Sequence, residues 1–194
     1  MRKYGVDDIH AFLRALDTKL PRTVEITIIG GAAIGLVYDG AHATTDIDLT
    51  PTNDEVFWNA VREVTAKLER PVPVAPVSIY EAPYDWEDRR MLTSVPGVTK
   101  LVIWVPEAHD LAIMKLARGA THDFQAIEDI HRSQPLKAKV LVERYYDTLT
   151  QKTGSAADFR LSLLALVDRL FGPEEARRVE RRLDEEKPPP LGPV

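Results

Sequence analysis

The run Thr23-Val24-Glu25-Ile26-Thr27-Ile28-Ile29 constrains the fold more than any other stretch of the chain. Its β-branched residues favour a pleated strand, and it stops abruptly at Gly30-Gly31. The apolar stretch 32–38 follows at once and is closed by Asp39-Gly40, so a strand, a glycine turn and a short helix are predicted in succession. A second short strand is expected at 46–50, Asp46-Ile47-Asp48-Leu49-Thr50, ended by Pro51.

Residues i and i+2 of a strand share a face, so Asp46 and Asp48 are expected side by side. Two carboxylates on one face repel each other, and a hard divalent cation removes that repulsion. Mg²⁺ takes one or two carboxylates together with substrate phosphates, which makes this spacing suit a metal–nucleotide site. The two glycines let the backbone come close to a phosphate, where its free N–H groups can donate. Neither Asp-x-Asp nor Gly-Gly is specific alone. Strand, Gly-Gly, short helix and an apolar-flanked Asp-Ile-Asp in that order are far more so.

The remaining pattern places α/β structure first and helices second. An apolar stripe of Val6, Ile9, Phe12, Leu13 and Leu16 predicts a helix over 6–20 that Pro21 ends. Thr52, Asn53 or Asp54 can cap a helix reaching about residue 70. Pro71, Pro73 and Pro76 point to an irregular or edge strand running to 80, the polar stretch 81–90 carries no clear signal, and 98–105 reads as a strand. Helices are expected over 107–117, 123–132, 136–149, 156–171 and 173–186, before a disordered tail at 188–194. The expected organisation is an α+β domain over 1–132, with a small mixed sheet covered by helices, and a helical lobe over 133–187.

The 194 residues contain no cysteine, which excludes disulfide scaffolds, thiolate zinc sites and cysteine nucleophiles. A net charge of -5 argues against a general polyanion binder. Residues 1–99 hold the whole deficit, with 10 basic and 15 acidic groups against 15 and 15 in the rest. No apolar run approaches the ~20 residues of a membrane span, and no signal-peptide core follows the start, so a soluble cytoplasmic protein is expected. The C-terminal Arg160, Arg169, Arg177, Arg178, Arg181 and Arg182 are interleaved with acids, which predicts paired, solvated faces rather than a nucleic-acid patch. Trp58, Trp86, Trp104, Tyr145 and Tyr146 read as core or interface residues, His109 as a solvated residue of a first helical turn, and Arg118, His122 and Asp129 as surface groups.

With Gly30-Gly31 and Asp46-Ile47-Asp48 in this order, residues 23–132 resemble the DNA polymerase β-type nucleotidyltransferase superfamily. The closer likeness is to the AbiEii/MenT group of nucleotidyltransferase-like toxins and related uncharacterised bacterial nucleotidyltransferases. That group pairs Gly-Gly with an Arg-x-Ser/Thr-x-Asp-x-Asp run and a later helical Lys-Leu followed by an Asp. Here the run is His42-Ala43-Thr44-Thr45-Asp46-Ile47-Asp48, and the later element is Lys115-Leu116 with Asp123. The resemblance implies Gly30 and Gly31 against the triphosphate, with Thr44 and His42 beside it. It implies Asp46 and Asp48 as ligands of Mg²⁺, Lys115 as the partner of developing phosphate charge, and Asp123 as the later acid.

Two departures stand out. His42 replaces the group's Arg, a titratable group for a permanent charge. The third carboxylate that such enzymes carry on a later strand has no counterpart in Val98-Thr99-Lys100-Leu101-Val102-Ile103-Trp104-Val105, which leaves Glu81, Asp85, Glu87, Asp88 or Asp123 as candidates. The resemblance implies transfer of a nucleotidyl group from an NTP to a hydroxyl of RNA (tRNA), in a toxin–antitoxin-like role. Its alternatives are an antitoxin that modifies a cognate toxin protein and a non-catalytic nucleotide-binding module.

Overall fold

A computed structural model describes residues 2–78, 81–119 and 123–186. His122, the end of the expected edge strand at 79–80, residue 187 and the tail at 188–194 lie outside the described residues. The chain forms two compact units, Met1–Ser78 with Arg89–Pro106, and Ile79–Asp88 with Glu107–Val194. The helices over 108–133, placed in the first domain by the sequence-based division at 132, thus group with the helices that follow them.

The first unit holds α1 (Val6–Lys19), β1 (Val24–Ile29), α2 (Gly30–Ala33), β2 (Ile47–Leu49), α3 (Glu55–Lys67), β3 (Val74–Pro76), β4 (Met91–Thr93) and β5 (Leu101–Val105). α2 continues into a π-helical turn, Ile34–Tyr38. Among the described residues the five strands make one mixed sheet in the order β3-β2-β1-β5-β4. β1 runs antiparallel to β2 and parallel to β5, β3 is parallel to β2, and β4 is antiparallel to β5. The α+β expectation holds, with β1 central.

Register divides the sheet into two faces. Val24, Ile26 and Ile28 pair with Leu101, Ile103 and Leu49, and all six are buried. Together with Ile9, Phe12, Leu13 and Leu16 of α1 and Phe57, Ala60 and Val64 of α3 they make the core of this unit. α3 starts where a cap was expected, the Asp54 side chain accepting from the N–H groups of Val56 and Phe57. The other face carries Glu25, Thr27, Asp48, Val102, Trp104 and Leu92.

Two local differences from the sequence reading have clear causes. β4 lies just past the stretch 81–90, where no element was expected, because three residues are too few to show a period. β5 begins at Leu101 rather than 98 because a side chain takes the preceding amides. Asp17 of α1 is 5% exposed, and its Oδ1 accepts from the N–H groups of Thr99, Lys100 and Leu101 at 3.1, 2.6 and 2.8 Å. Its Oδ2 receives the Thr99 hydroxyl at 3.3 Å. Nearby, Lys100 Nζ donates to the Leu20 carbonyl at 2.6 Å.

In the second unit α4 (Ala108–Arg118) is central and packs on α5 (Asp123–Ser133), α6 (Ala138–Leu149) and α7 (Ala156–Phe171), with α8 (Pro173–Glu185) on α7. α7 is capped by the Ser155 hydroxyl and α8 opens on Pro173. The C-terminal arginines pair as expected: Arg178 with Glu175, Arg182 with Glu186, and Arg160 of α7 with Asp184 of α8. Among the described residues no helix is long and apolar enough to cross a membrane.

Burial raises the Asp17 pKa, but the amide and hydroxyl donors outweigh it and hold the group below its ordinary 3.8. A depressed folded-state pKa contributes stability that is complete above the unfolded value and disappears as pH falls through the folded one. Asp17→Ala should cost about 3 kcal/mol at pH 7, since it strands three backbone donors. The deficit should shrink below pH 4. Urea denaturation of both proteins at pH 7 and pH 3.5 checks this, and equal stability at pH 7 would contradict it.

Candidate functional site

Of the expected site residues of the first unit, Gly30, Gly31, His42, Thr44 and Asp48 gather where β1 ends and α2 starts. Gly30 has φ +65°, a left-handed conformation that glycine adopts without strain. A Cβ on it would lie 3.0 Å from Asp48 Oδ2. The antiparallel pair Ile29↔Asp48 explains this, because it sets the Asp48 side chain beside the residue that follows Ile29. A Cβ on Gly31 would lie 2.6 Å from Thr44 Oγ1, 3.0 Å from Thr44 Cβ and 3.5 Å from His42 Nε2. The two glycines thus bring the loop with His42 and Thr44, and the strand with Asp48, against the start of α2.

That loop is tied down at both ends. The Tyr4 N–H donates to the Thr44 carbonyl at 2.7 Å, and the Thr44 N–H returns to Tyr4 at 3.0 Å. The Tyr4 hydroxyl reaches the Pro71 carbonyl at 3.0 Å. The His42 N–H donates to the Asp39 carbonyl at 2.9 Å. Thr44 is buried and His42 is half-buried. A Cβ on Gly35 would stand 3.1 Å from the His42 carbonyl, so the π-helical turn presses on the same loop.

Asp48 lies in β2 between Ile47 and Leu49, each 1% exposed. Asp46, expected as the first residue of that strand, stands in the bend just before it, because the β2 ladder opens with the Ile47 N–H donating to Pro73. Both aspartates are half-buried. Their carboxylates are hard oxygen donors of the kind Mg²⁺ takes together with substrate phosphate and water. The glycines leave that side of Asp48 without a neighbouring Cβ. Among the described residues no group of three or more His, Asp or Glu side chains could hold a metal ion, so a cation here needs the oxygens of its substrate.

Lys115 and Asp123 are brought to each other within the second unit. Lys115 is 6% and Asp123 1% exposed, with Lys115 Nζ 3.4 Å from Asp123 Oδ1. Arg118 also pairs with Asp123, its Nε donating to Oδ2 at 3.0 Å. Burial raises the Asp123 pKa, and the Arg118 hydrogen bond with the Lys115 and Arg118 charges more than reverses it. Arg118 is exposed, as expected of a surface group, and reaches inward to pair with the buried acid. Asp129 is half-buried, receiving Gln125 at 3.0 Å and Arg132 at 3.2 Å.

His109 corrects the expectation of a solvated ring. It is 8% exposed and held at both nitrogens: Nε2 accepts the Lys137 N–H at 3.0 Å, which places the ring proton on Nδ1, 2.6 Å from Glu107 Oε1. Glu107 also caps α4 through the N–H groups of His109 and Asp110. Asp110, fully buried, pairs with Arg144 of α6 at 2.9 Å. Sequence reasoning passed over Glu107, Asp110 and Arg144. The capping position of Glu107 ahead of the helix was the available signal.

Glu81 is excluded as a general base. Its Oε1 accepts from Lys152 Nζ at 2.8 Å, the Thr153 N–H at 3.1 Å and the Thr153 hydroxyl at 2.7 Å. These donors overcome the rise from burial and bring its pKa down to about 2, too low to take a proton from a hydroxyl.

Gly31→Ala should destabilise the protein by about 1–3 kcal/mol, since its Cβ meets Thr44 inside van der Waals distance. Adding Thr44→Ala should recover a large part of that loss, and a double-mutant cycle read by urea unfolding measures the coupling. Purely additive effects would show that the two residues do not touch.

No curated protein and no solved structure matches the chain. The model of the family described as a nucleotidyltransferase of unknown function, DUF6036, matches residues 6–168. That span takes in the glycine turn, the Asp-Ile-Asp strand and the helices through most of α7. The chain belongs to this nucleotidyltransferase family.

Proposed function

We propose that the protein transfers a nucleotidyl group from an NTP to a hydroxyl of RNA, with tRNA as the acceptor that the AbiEii/MenT likeness implies, in a toxin–antitoxin-like role. The observation that carries the reading is the contact of Asp48 with Gly30 and of Thr44 and His42 with Gly31. A carboxylate, a hydroxyl and an imidazole converge on backbone that has no side chains to obstruct a phosphate. Asp46 and Asp48 would hold Mg²⁺, which when bound neutralises triphosphate charge. The Gly30 and Gly31 amides and the Thr44 hydroxyl would orient the phosphates, and His42 would add positive charge when protonated. Positioning and fixed dipoles then supply most of the rate.

The later acid and lysine of the motif stay in this reading as the pair Lys115–Asp123. Arg118 pairs with the same carboxylate. A protein acceptor on a cognate toxin or antitoxin is the second reading. It is favoured by the net charge of -5, which is unhelpful for general RNA affinity.

The decisive measurement is NTP binding by calorimetry with and without Mg²⁺, followed by transfer of labelled nucleotide to total RNA. Wild type should bind NTP only with Mg²⁺ and label RNA. Asp46→Asn/Asp48→Asn should abolish both. The same variant should keep or raise stability in metal-free buffer, because it removes two like charges on neighbouring alternate residues. A large loss of stability would make these carboxylates structural, and Mg²⁺-dependent binding without transfer to RNA would favour a protein acceptor or a binding module.

A further inference from the structure

In the second unit a cavity of about 320 Å³ opens between α6, α7 and α8. Tyr145, Tyr146 and Leu149 of α6, Arg160 of α7, and Leu183 and the C-cap Glu186 of α8 line it. The loop between α6 and α7 brings the end of one helix to the start of the next, and the Arg160–Asp184 pair holds the end of α8 beside them. The three helices therefore meet at the place where the chain leaves α8.

The cavity leaves polar groups without partners. Tyr145 is 4% exposed, and its ring packs on Phe159 and Tyr146 at centroid distances of 4.7 and 5.6 Å, yet among the described residues its hydroxyl makes no hydrogen bond. Tyr146 Oη is buried beside the Glu186 carboxylate and also makes none. Buried donors left in this way are costly and call for an acceptor. Burial raises the pKa of both tyrosines, so both hydroxyls keep their protons. The charged side chains are already engaged, Arg160 with Asp184 at 2.6 Å and Glu186 with Arg182 Nε at 2.9 Å. What the cavity offers a ligand is apolar surface and tyrosine hydroxyls that can donate.

We propose that this cavity is the docking site of the chain's own proline segment, Pro188-Pro189-Pro190. The inference stands apart from the nucleotidyl-transfer reading. Lys187-Pro188-Pro189-Pro190-Leu191 follows Glu186 directly. Glu186 has already left helical geometry, with φ -84° and ψ 117°, close to polyproline values. A polyproline helix advances about 3.1 Å per residue, so all three prolines fall within about 12 Å of a residue that lines the cavity. Their chemistry matches it as well. A common peptide would bring N–H groups that find few acceptors there, whereas proline has none and its carbonyls accept from tyrosine hydroxyls. Aromatic-lined grooves take proline-rich segments, whose extended helix is formed before binding. A segment tethered at the cavity's rim acts at an effective concentration on the order of millimolar, so a weak contact suffices.

The test is NMR of the full chain with labelled tyrosine and proline. Cross-peaks between the rings of Tyr145 or Tyr146 and proline rings are expected, and they should disappear in Pro188→Ser/Pro189→Ser/Pro190→Ser. Their intensity relative to protein should not change on dilution. Ala157→Arg, which puts a long side chain into the cavity from the exposed start of α7, should abolish them. Tyr145→Phe, which removes one donor alone, should weaken them. Circular dichroism of each variant guards against unfolding. A free peptide with the sequence of 187–194, at about millimolar concentration, should shift the Tyr145 and Tyr146 resonances of the triple variant and leave those of wild type nearly unmoved. Cross-peaks absent from wild type, or kept by Ala157→Arg, overturn the proposal. So do cross-peaks that fade on dilution, which put the segment on a second copy of the chain, and equal peptide responses in the two proteins.

Discussion

The chemistry of the first unit depends on two missing side chains. At Gly31 there is 2.6 Å between an ideal Cβ position and Thr44 Oγ1, and at Gly30 there is 3.0 Å to Asp48 Oδ2. Neither gap admits a methyl group at ordinary contact distance. The loop 39–46 can therefore close on α2 only because the chain is bare there, and the closure sets Thr44, His42 and Asp48 around one stretch of backbone. Tyr4 reinforces it from outside the loop by pairing with Thr44 in a two-residue bridge. The strand that leads into the glycines has the opposite character, since five of its six residues are buried. A rigid strand delivers a bare turn to a fixed place, and the loop shapes itself to that turn.

Acids in this protein divide by what consumes their lone pairs. Asp17, Asp54, Glu81 and Glu107 accept backbone N–H groups, and Asp123 and Asp110 are neutralised by buried or half-buried cations. These carboxylates hold elements in place, and the donors around Glu81 lower its basicity so far that it cannot serve as a base. Asp48 differs from them in lying against the bare Gly30 backbone. In the proposed reading, two acids without a third on β5 would rely on geometry and electrostatics more than on proton abstraction.

Long periodic elements were legible in the sequence. α1, β1, α3, α7 and α8 lie within a few residues of their expected bounds because their apolar stripes, β-branched runs and punctuating prolines act locally. The contact of Gly30 with Asp48 was foreshadowed by residue types and order, since glycines and paired acids are specified by what approaches them. What could not be read depends on partners distant in sequence. Asp17 looks like any polar residue of a helix until amides more than eighty positions away reach it. His109 looks solvated until the Lys137 N–H arrives from the start of α6. β4 is too short to carry a period, and with it the outward role of Leu92 and Arg90 was hidden.

Trp104 shows why a strand lacking an acid still carries information. Val102 and Trp104 alternate with Leu101, Ile103 and Val105, and the three latter residues are all buried. That alternation means the β5 face toward Asp48 is built from residues chosen for something other than the core. A valine there would suffice to cover a sheet. An indole hydrogen-bonded through its N–H and covered by an anchored guanidinium is larger, costlier to order and polar at its edge. Glu25, Thr27 and Arg90 each spend their polar groups on holding that ring or its cation. Two strands, and Arg90 just ahead of a third, thus commit polar groups to ordering one aromatic plane on the face of the sheet opposite its core.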